Sequence, residues 1–325
     1  MNNHSREIIL GDWKFNQIDI RDKETYTKFI KDTQYPTDLW SSNFDYLWGV
    51  SNPKSVLVLW KVINEMLVTF KLSKNQTLQL AFPPFGRGSS DKIAEGLLQC
   101  MHYCQQWNER NGGKTRVRAA TKQQLDFLKT SHLFDQNFRY MKLRGVDKHI
   151  GINKVLDLSG REFKEVRENR NRFLRDYPDV VIRRAKTEDY EALLNLKQAW
   201  NQTLGNKYSR IWDDRFFQQI IKNHQKLEHI ILVVETGKQI IGMVTGGVLP
   251  HGQAWSAFLK RREGYNGLSE LLNVEFAREI HKVNPNVELI NLGIESGVKV
   301  GSRGFKDKFR PVLNSERYQL YLKHQ

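Results

Sequence analysis

Cysteine is almost missing from this chain: Cys100 and Cys104 are the only two among 325 residues, and they stand four apart. His102 stands between them, but the set of four that a closed metal site needs is not gathered there, which leaves a metal or redox pair poorly supported. The spacing fits two small apolar residues on one buried helix face. Long apolar runs are also missing. None reaches the roughly 18 residues that a membrane helix needs, so no membrane span is expected. The start, Met1-Asn-Asn-His-Ser-Arg-Glu7, lacks the charged-then-apolar layout of a secretory signal, and the expected location is the cytoplasm. Acidic residues run short, 36 against 51 lysines and arginines, for a net charge of +15 and a pI near 9.7. An anionic partner follows from that balance. RNA, an acidic carrier protein, a phosphorylated cofactor and an anionic lipid surface all satisfy it.

What is present argues for a folded core. Hydrophobic residues make up 39% of the chain, with eight Trp and seventeen Phe, and the length suits about two domains. The chain also repeats itself. A short strand entering a helix is read at Ile18–Tyr26 and again at Val181–Leu194, with Thr187 as a helix cap. Hairpins follow at 56–70 and at 230–245, the second turning at Thr236-Gly237. A third strand comes next in each half, at 78–82 and at 254–259. Each leads through a glycine-bearing loop, Pro83–Ser90 or Arg261–Gly267, into an amphipathic helix over 91–106 or 268–281. The offset suits domain duplication, with a boundary near residue 150. The fold class expected is α/β (α+β), with two tandem domains of mixed sheet flanked by helices, 1–150 and 151–325.

The most informative segment lies near the end. An apolar strand, Val287 to Leu292, runs into Asn291-Leu-Gly-Ile-Glu295-Ser-Gly297, then Gly301-Ser-Arg303-Gly-Phe-Lys306. Upstream, Pro83, Pro84 and Gly86 follow the first-half strand. Gly160, Phe163, Arg167, Asn171 and Phe173 punctuate a basic helix, and Trp200 closes the first helix of the second half. Together these residues resemble the DUF2156 family, the catalytic-domain relatives of phosphatidylglycerol lysyltransferases. The match departs at Glu168, where the family has Asn, and one residue is inserted between the glycines of the last motif. The resemblance implies two acetyltransferase-like (GNAT) domains in tandem. It also implies a degenerate first copy, a catalytic second one, and substrate-binding roles for Arg167, Asn171, Trp200, Asn291, Gly297, Gly301, Arg303 and Lys306.

In GNAT enzymes the loop after the fourth strand wraps the coenzyme A pyrophosphate with backbone amides at a helix N-terminus. Here that loop is Arg261-Arg262-Glu263-Gly264-Tyr265-Asn266-Gly267, with Asn266 where Gly or Ala is usual. Acyl transfer to an amine needs an activated carbonyl, a neutral amine and oxyanion stabilisation. Glu295 is the candidate base or amine-binding acid, with capping or pairing to Arg303 as its structural alternative. Glu263 and His251 are further candidate bases. Three functions stay open. One is N-acyl transfer from acyl-CoA or an acyl carrier protein to an amine of a small molecule, lipid headgroup or lysine- or ornithine-type side chain. Another is transfer from aminoacyl-tRNA. The third is a non-catalytic anion-binding scaffold.

Overall fold

The computed structural model describes residues 6–35, 38–207, 213–294 and 304–323. It divides into two compact units, Met1–Gly145 with Ser315–Gln325, and Val146–Asn314. The expected halves, 1–150 and 151–325, therefore need correction at the C-terminus, because the last strand returns to the first unit. Its alternating apolar residues explain this: Tyr318, Leu320 and Leu322 are buried in the first unit's core.

In the first unit a hairpin of β1 (Glu7–Leu10) and β2 (Trp13–Gln17) precedes α1 (Lys23–Asp32) and α2 (Phe44–Val50). The strand read at Ile18–Ile20 falls just after β2. Asp19 instead accepts from the Arg21 amide and Asp22 reciprocates on the Asp19 amide at 2.8 Å, which turns the chain into α1. A second hairpin, β3 (Val56–Ile63) and β4 (Met66–Ser73), leads to β5 (Leu78–Leu80) and α3 (Ser90–Asn111). Then come β6 (Val117–Thr121), α4 (Lys122–Leu128), α5 (His132–Asn137) and the opening residues of β7 (Phe138–Gly151). Strands β1 to β6 lie side by side in order, and the C-terminal strand (Leu313–Leu322, β13) pairs antiparallel with β6. Period-two alternation splits β4 cleanly. Met66, Val68, Phe70 and Leu72 enter the core with α3, while Thr69 faces the other way and meets the Tyr26 hydroxyl at 3.0 Å. Cys100 and Cys104 lie in that core on one face of α3, where burial pushes both thiols up.

The second unit continues with α6 (Ile152–Asp157), α7 (Lys164–Asp176), β8 (Val181–Arg184), α8 (Tyr190–Gln202) and α9 (Asp214–Asn223). Next are β9 (Ile230–Thr236), β10 (Gln239–Val248), β11 (Ala254–Arg261), α10 (Leu268–Val283) and β12 (Leu289–Asn291). Its strand order is β7-β12-β11-β10-β9-β8, antiparallel except for β11 beside β12. The β9–β10 turn places Gly237 and Lys238 at φ 54° and 65°, the doubly left-handed pair that a tight hairpin needs. Thr187 does not cap α8. Its hydroxyl accepts from Gln225, and Asp189 caps the preceding turn through the Lys186 amide. Leu268, Leu271, Leu272 and Phe276 of α10 pack with α6 and α7 over one sheet face. Phe216 of α9 stacks near Trp255 and Phe258 on the other. Each unit thus repeats the strand, helix pair, hairpin, strand, long helix and strand of a GNAT domain.

Candidate active site

The second unit opens a notch between β11 and β12. Ala254 and Trp255 pair in parallel with Ile290 and Asn291, and there β12 stops. Beyond Trp255, that edge of β11 has no strand partner among the described residues. A register shift sharpens the feature. Thr245 pairs with Phe258 but Gly246 pairs with Ser256, leaving Ala257 as an extra residue. Such a bulge bends the strand and re-aims its side chains. Trp255 lies on the α9 side, and past the bulge Phe258 and Lys260 return to it, while Leu259 and Arg261 face α10. Gly246 must lack a side chain, since a Cβ there would stand 1.9 Å from the Trp255 carbonyl oxygen.

At the base of the notch, registers place His149, Asn291 and Trp255 in one row on neighbouring strands. Asn291 donates to Asp147 at 3.3 Å and accepts from the Gly293 amide at 2.6 Å. His251, in the turn before β11, is pushed down to about 4 by burial and by His149. It is neutral at physiological pH but weakly basic, a poor match for a general base. Lys306 donates to the carbonyls of Gly293 and Ile294 at 2.9 Å each, and to Leu292, so it ties down the exit of β12. Glu295, Gly297, Gly301 and Arg303 lie outside the described residues.

The loop before α10 divides into two parts. Glu263, Gly264 and Asn266 are exposed, and a Cβ at Gly264 (φ 89°) would meet nothing. Arg262 is held by Ile241 through its amide and Ile240 through its side chain, and Tyr265 leans on Tyr177. Arg261 donates to Ser269 at 3.0 Å. Gly267 (φ 85°), read from sequence as a pyrophosphate contact, instead abuts α7: a Cβ there would stand 2.1 Å from the Asn169 carbonyl oxygen. The first turn of α10 also carries buried Glu270, which accepts from Asn169 at 3.2 Å and from Lys308 at 3.1 Å. On α7, Arg167 holds the Leu158 and Gly160 carbonyls, a structural task, while Asn171 is exposed.

Sequence reasoning missed a buried ionic cluster on the other side of β11. Lys197 of α8 reaches Asp213 and Asp214 at 2.7 Å, and Lys260 reaches Asp213 at 2.8 Å. Lys260 also sits 3.4 Å over the Trp200 ring, so Trp200 serves as a cation platform. Burial lowers Lys260 to about 8 against the pull of Asp213. Burial would raise Asp213, but Lys260 and Lys197 outweigh it and hold the carboxyl below its usual range. The available signal was a lysine inside the apolar run of β11.

Comparisons with known proteins agree with this architecture. A conserved protein of unknown function from Bacteroides thetaiotaomicron VPI-5482 superposes at a TM-score of 0.79, with 19% identity over 95% of this chain and 99% of that one. L-PGS from Bacillus licheniformis gives 0.62, with 16% identity over 94% and 93%. The C-terminal domain (DUF2156) of a putative lysylphosphatidylglycerol synthetase from Agrobacterium fabrum gives 0.63, with 13% identity over 94% and 93%. No curated protein matches the sequence. The family model described as "Phosphatidylglycerol lysyltransferase, C-terminal" matches residues 53–321. That match, over most of its length, makes the chain a member of the phosphatidylglycerol lysyltransferase C-terminal family of transferases.

Proposed function

We propose that this protein transfers an aminoacyl group from aminoacyl-tRNA to a nucleophilic acceptor, with the glycerol hydroxyl of phosphatidylglycerol as the first candidate. The family's description supports the class of reaction, and one observation favours tRNA over coenzyme A. The first turn of α10, where a pyrophosphate would dock, is covered by α7 and carries buried Glu270. Two phosphate charges brought beside that carboxylate and the Asn169 carbonyl would be repelled. Lys308 is already shared between Glu270 and Glu165, at 3.1 Å and 2.6 Å.

In the reaction, the acceptor oxygen or amine attacks the ester carbonyl carbon and forms the new bond. The bond to the tRNA 3′ oxygen breaks, and the acceptor's proton passes through a base to that leaving oxygen. Glu295 is our proposed base, with Arg303 orienting it and Asn291 and Lys306 fixing the approach. No helix among the described residues is long and apolar enough to cross a membrane. The cytoplasm, where tRNA is charged, is the proposed site of action.

The test is incubation of purified protein with radiolabelled lysyl-tRNA and phosphatidylglycerol vesicles, and in parallel with acyl-CoA and small amines. Label in the lipid phase is expected, with Glu295→Gln slowing it by roughly 100- to 10,000-fold. Transfer from acyl-CoA alone would move the assignment to a thioester N-acyltransferase. No transfer from either donor would leave the non-catalytic scaffold.

A further inference from the structure

The first unit carries a row of cationic, amide and aromatic side chains across the sheet face opposite α3. It starts on β4 with Lys71, whose ammonium lies 5.2 Å from the Tyr46 ring centre. Lys71 pairs in register with Gln79 on β5. Gln79 accepts from Arg118 of β6 at 3.3 Å, and Arg116, the residue just before that strand, donates to Gln319 of β13 at 3.4 Å. Next to Gln319 on that face, by period-two alternation, Tyr321 stacks under Arg139 of β7 at 5.2 Å. The row crosses five adjacent strands, about 19 Å at ~4.8 Å per strand.

Its charge is one-sided. Among the described residues, Arg116, Arg118 and Arg139 have no ion-pair partner; their hydrogen bonds go to amides and to the Leu322 carbonyl. Glu316 of β13 alternates to the opposite face, where Lys142 and Tyr318 take it. Asp38 is buried against Ser315 at the start of the strand. Crowding shows in the cations themselves. Burial and then Arg118 lower Lys71 to about 7, and burial and then Arg116 lower Arg118. A polyanion laid along the row would relieve that repulsion.

We propose that this row binds the phosphodiester backbone of RNA. The proposal rests on the aminoacyl-tRNA reading above and names where that donor is held. Guanidinium forks match phosphate bidentately, and planar rings flanked by cations suit exposed bases. A lipid-binding face would present protruding Trp, Phe or Leu. Here the rings, Tyr46 and Tyr321, lie against Lys71 and Arg139 instead.

Binding of an uncharged tRNA transcript to the full chain, followed by fluorescence anisotropy between 50 and 200 mM KCl, tests this directly. The combined Arg116→Gln, Arg118→Gln, Arg139→Gln variant should bind roughly tenfold more weakly per guanidinium removed. Its log–log salt slope should be shallower by about 3. Met141→Glu places a carboxylate on the Arg139 face at an exposed position, so it tests the row even if the triple variant does not fold; it should weaken binding several-fold. Lys122→Gln, whose ammonium pairs with Asp126, should change nothing. Wild-type affinity and slope in both the triple variant and Met141→Glu would overturn the proposal. So would loss of phosphatidylglycerol-vesicle binding with tRNA binding intact, which would assign the row to a membrane. Row-dependent tRNA binding without aminoacyl transfer would sink the proposed function and keep this inference. Transfer with row-independent binding would do the reverse.

Discussion

Gly264 and Gly267 look equivalent in sequence, two glycines three apart in a strand-to-helix loop. Both adopt left-handed backbone, at φ 89° and 85°, but their surroundings differ. Gly264→Ala adds only the strain of a left-handed L-residue, about 1–2 kcal/mol. Gly267→Ala adds that strain and also drives a methyl into the Asn169 carbonyl. Overpacking of that kind costs about 1–3 kcal/mol more, so a total of about 2–5 kcal/mol is expected. Urea unfolding of the two variants checks the order, and equal midpoints would show that α7 yields freely. The glycine spacing was legible; which glycine serves packing was not, because α7 lies about a hundred residues away in sequence.

Among elements, β11 carries the most chemistry. Its bulge at Ala257 puts Phe258 and Lys260 on the α9 side, and Lys260 becomes part of a buried cluster. Asp213→Asn removes the one carboxylate shared by two buried ammoniums, and an uncompensated buried charge costs about 3–5 kcal/mol. The sign of the pH dependence follows from Lys260. Its folded value is about 8 and its ordinary value 10.5, so between those limits the unfolded chain binds more protons. The wild type should therefore gain stability as pH rises from 8 toward 10.5, relative to Lys260→Met. A difference curve that is flat or falls in that window would contradict the buried, lowered lysine. Asp213 acts at the other end. Its stabilisation is present above the ordinary carboxylate value and is lost as the pH falls through its lowered one.

For the whole molecule, the return of the last strand makes a prediction about which part depends on the C-terminus. Ending the chain after Asn314 removes Tyr318, Leu320 and Leu322 from the first unit. At roughly 1.5–3 kcal/mol per large side chain buried, the loss is comparable to a domain's whole stability. Amide hydrogen exchange in the truncated chain should show lost protection in β3 to β6 and retained protection in β9 to β11. Equal loss in both units would mean that they do not fold as the separate compact bodies seen here.

The sequence by itself determined the duplicated order of elements, the β3–β4 and β9–β10 hairpins, α3 and α10, and the resemblance at Asn291 and Lys306. These are local signals: period-two and helical periodicity, turn dipeptides, and motifs carried on contiguous residues. Tertiary structure decided the rest. Arg167 was read as a substrate ligand and proved to hold two carbonyls, and Lys306 closes a strand exit. The partners of both are backbone oxygens that no side-chain motif records. Lys197, Asp213 and Lys260 stand on α8, just before α9 and on β11, and Arg116, Arg118, Arg139 and Tyr321 on or beside β6, β7 and β13, the last at the far end of the chain. Such groups meet only when strand order is set, and the pairing of strands far apart in sequence is not written in local periodicity.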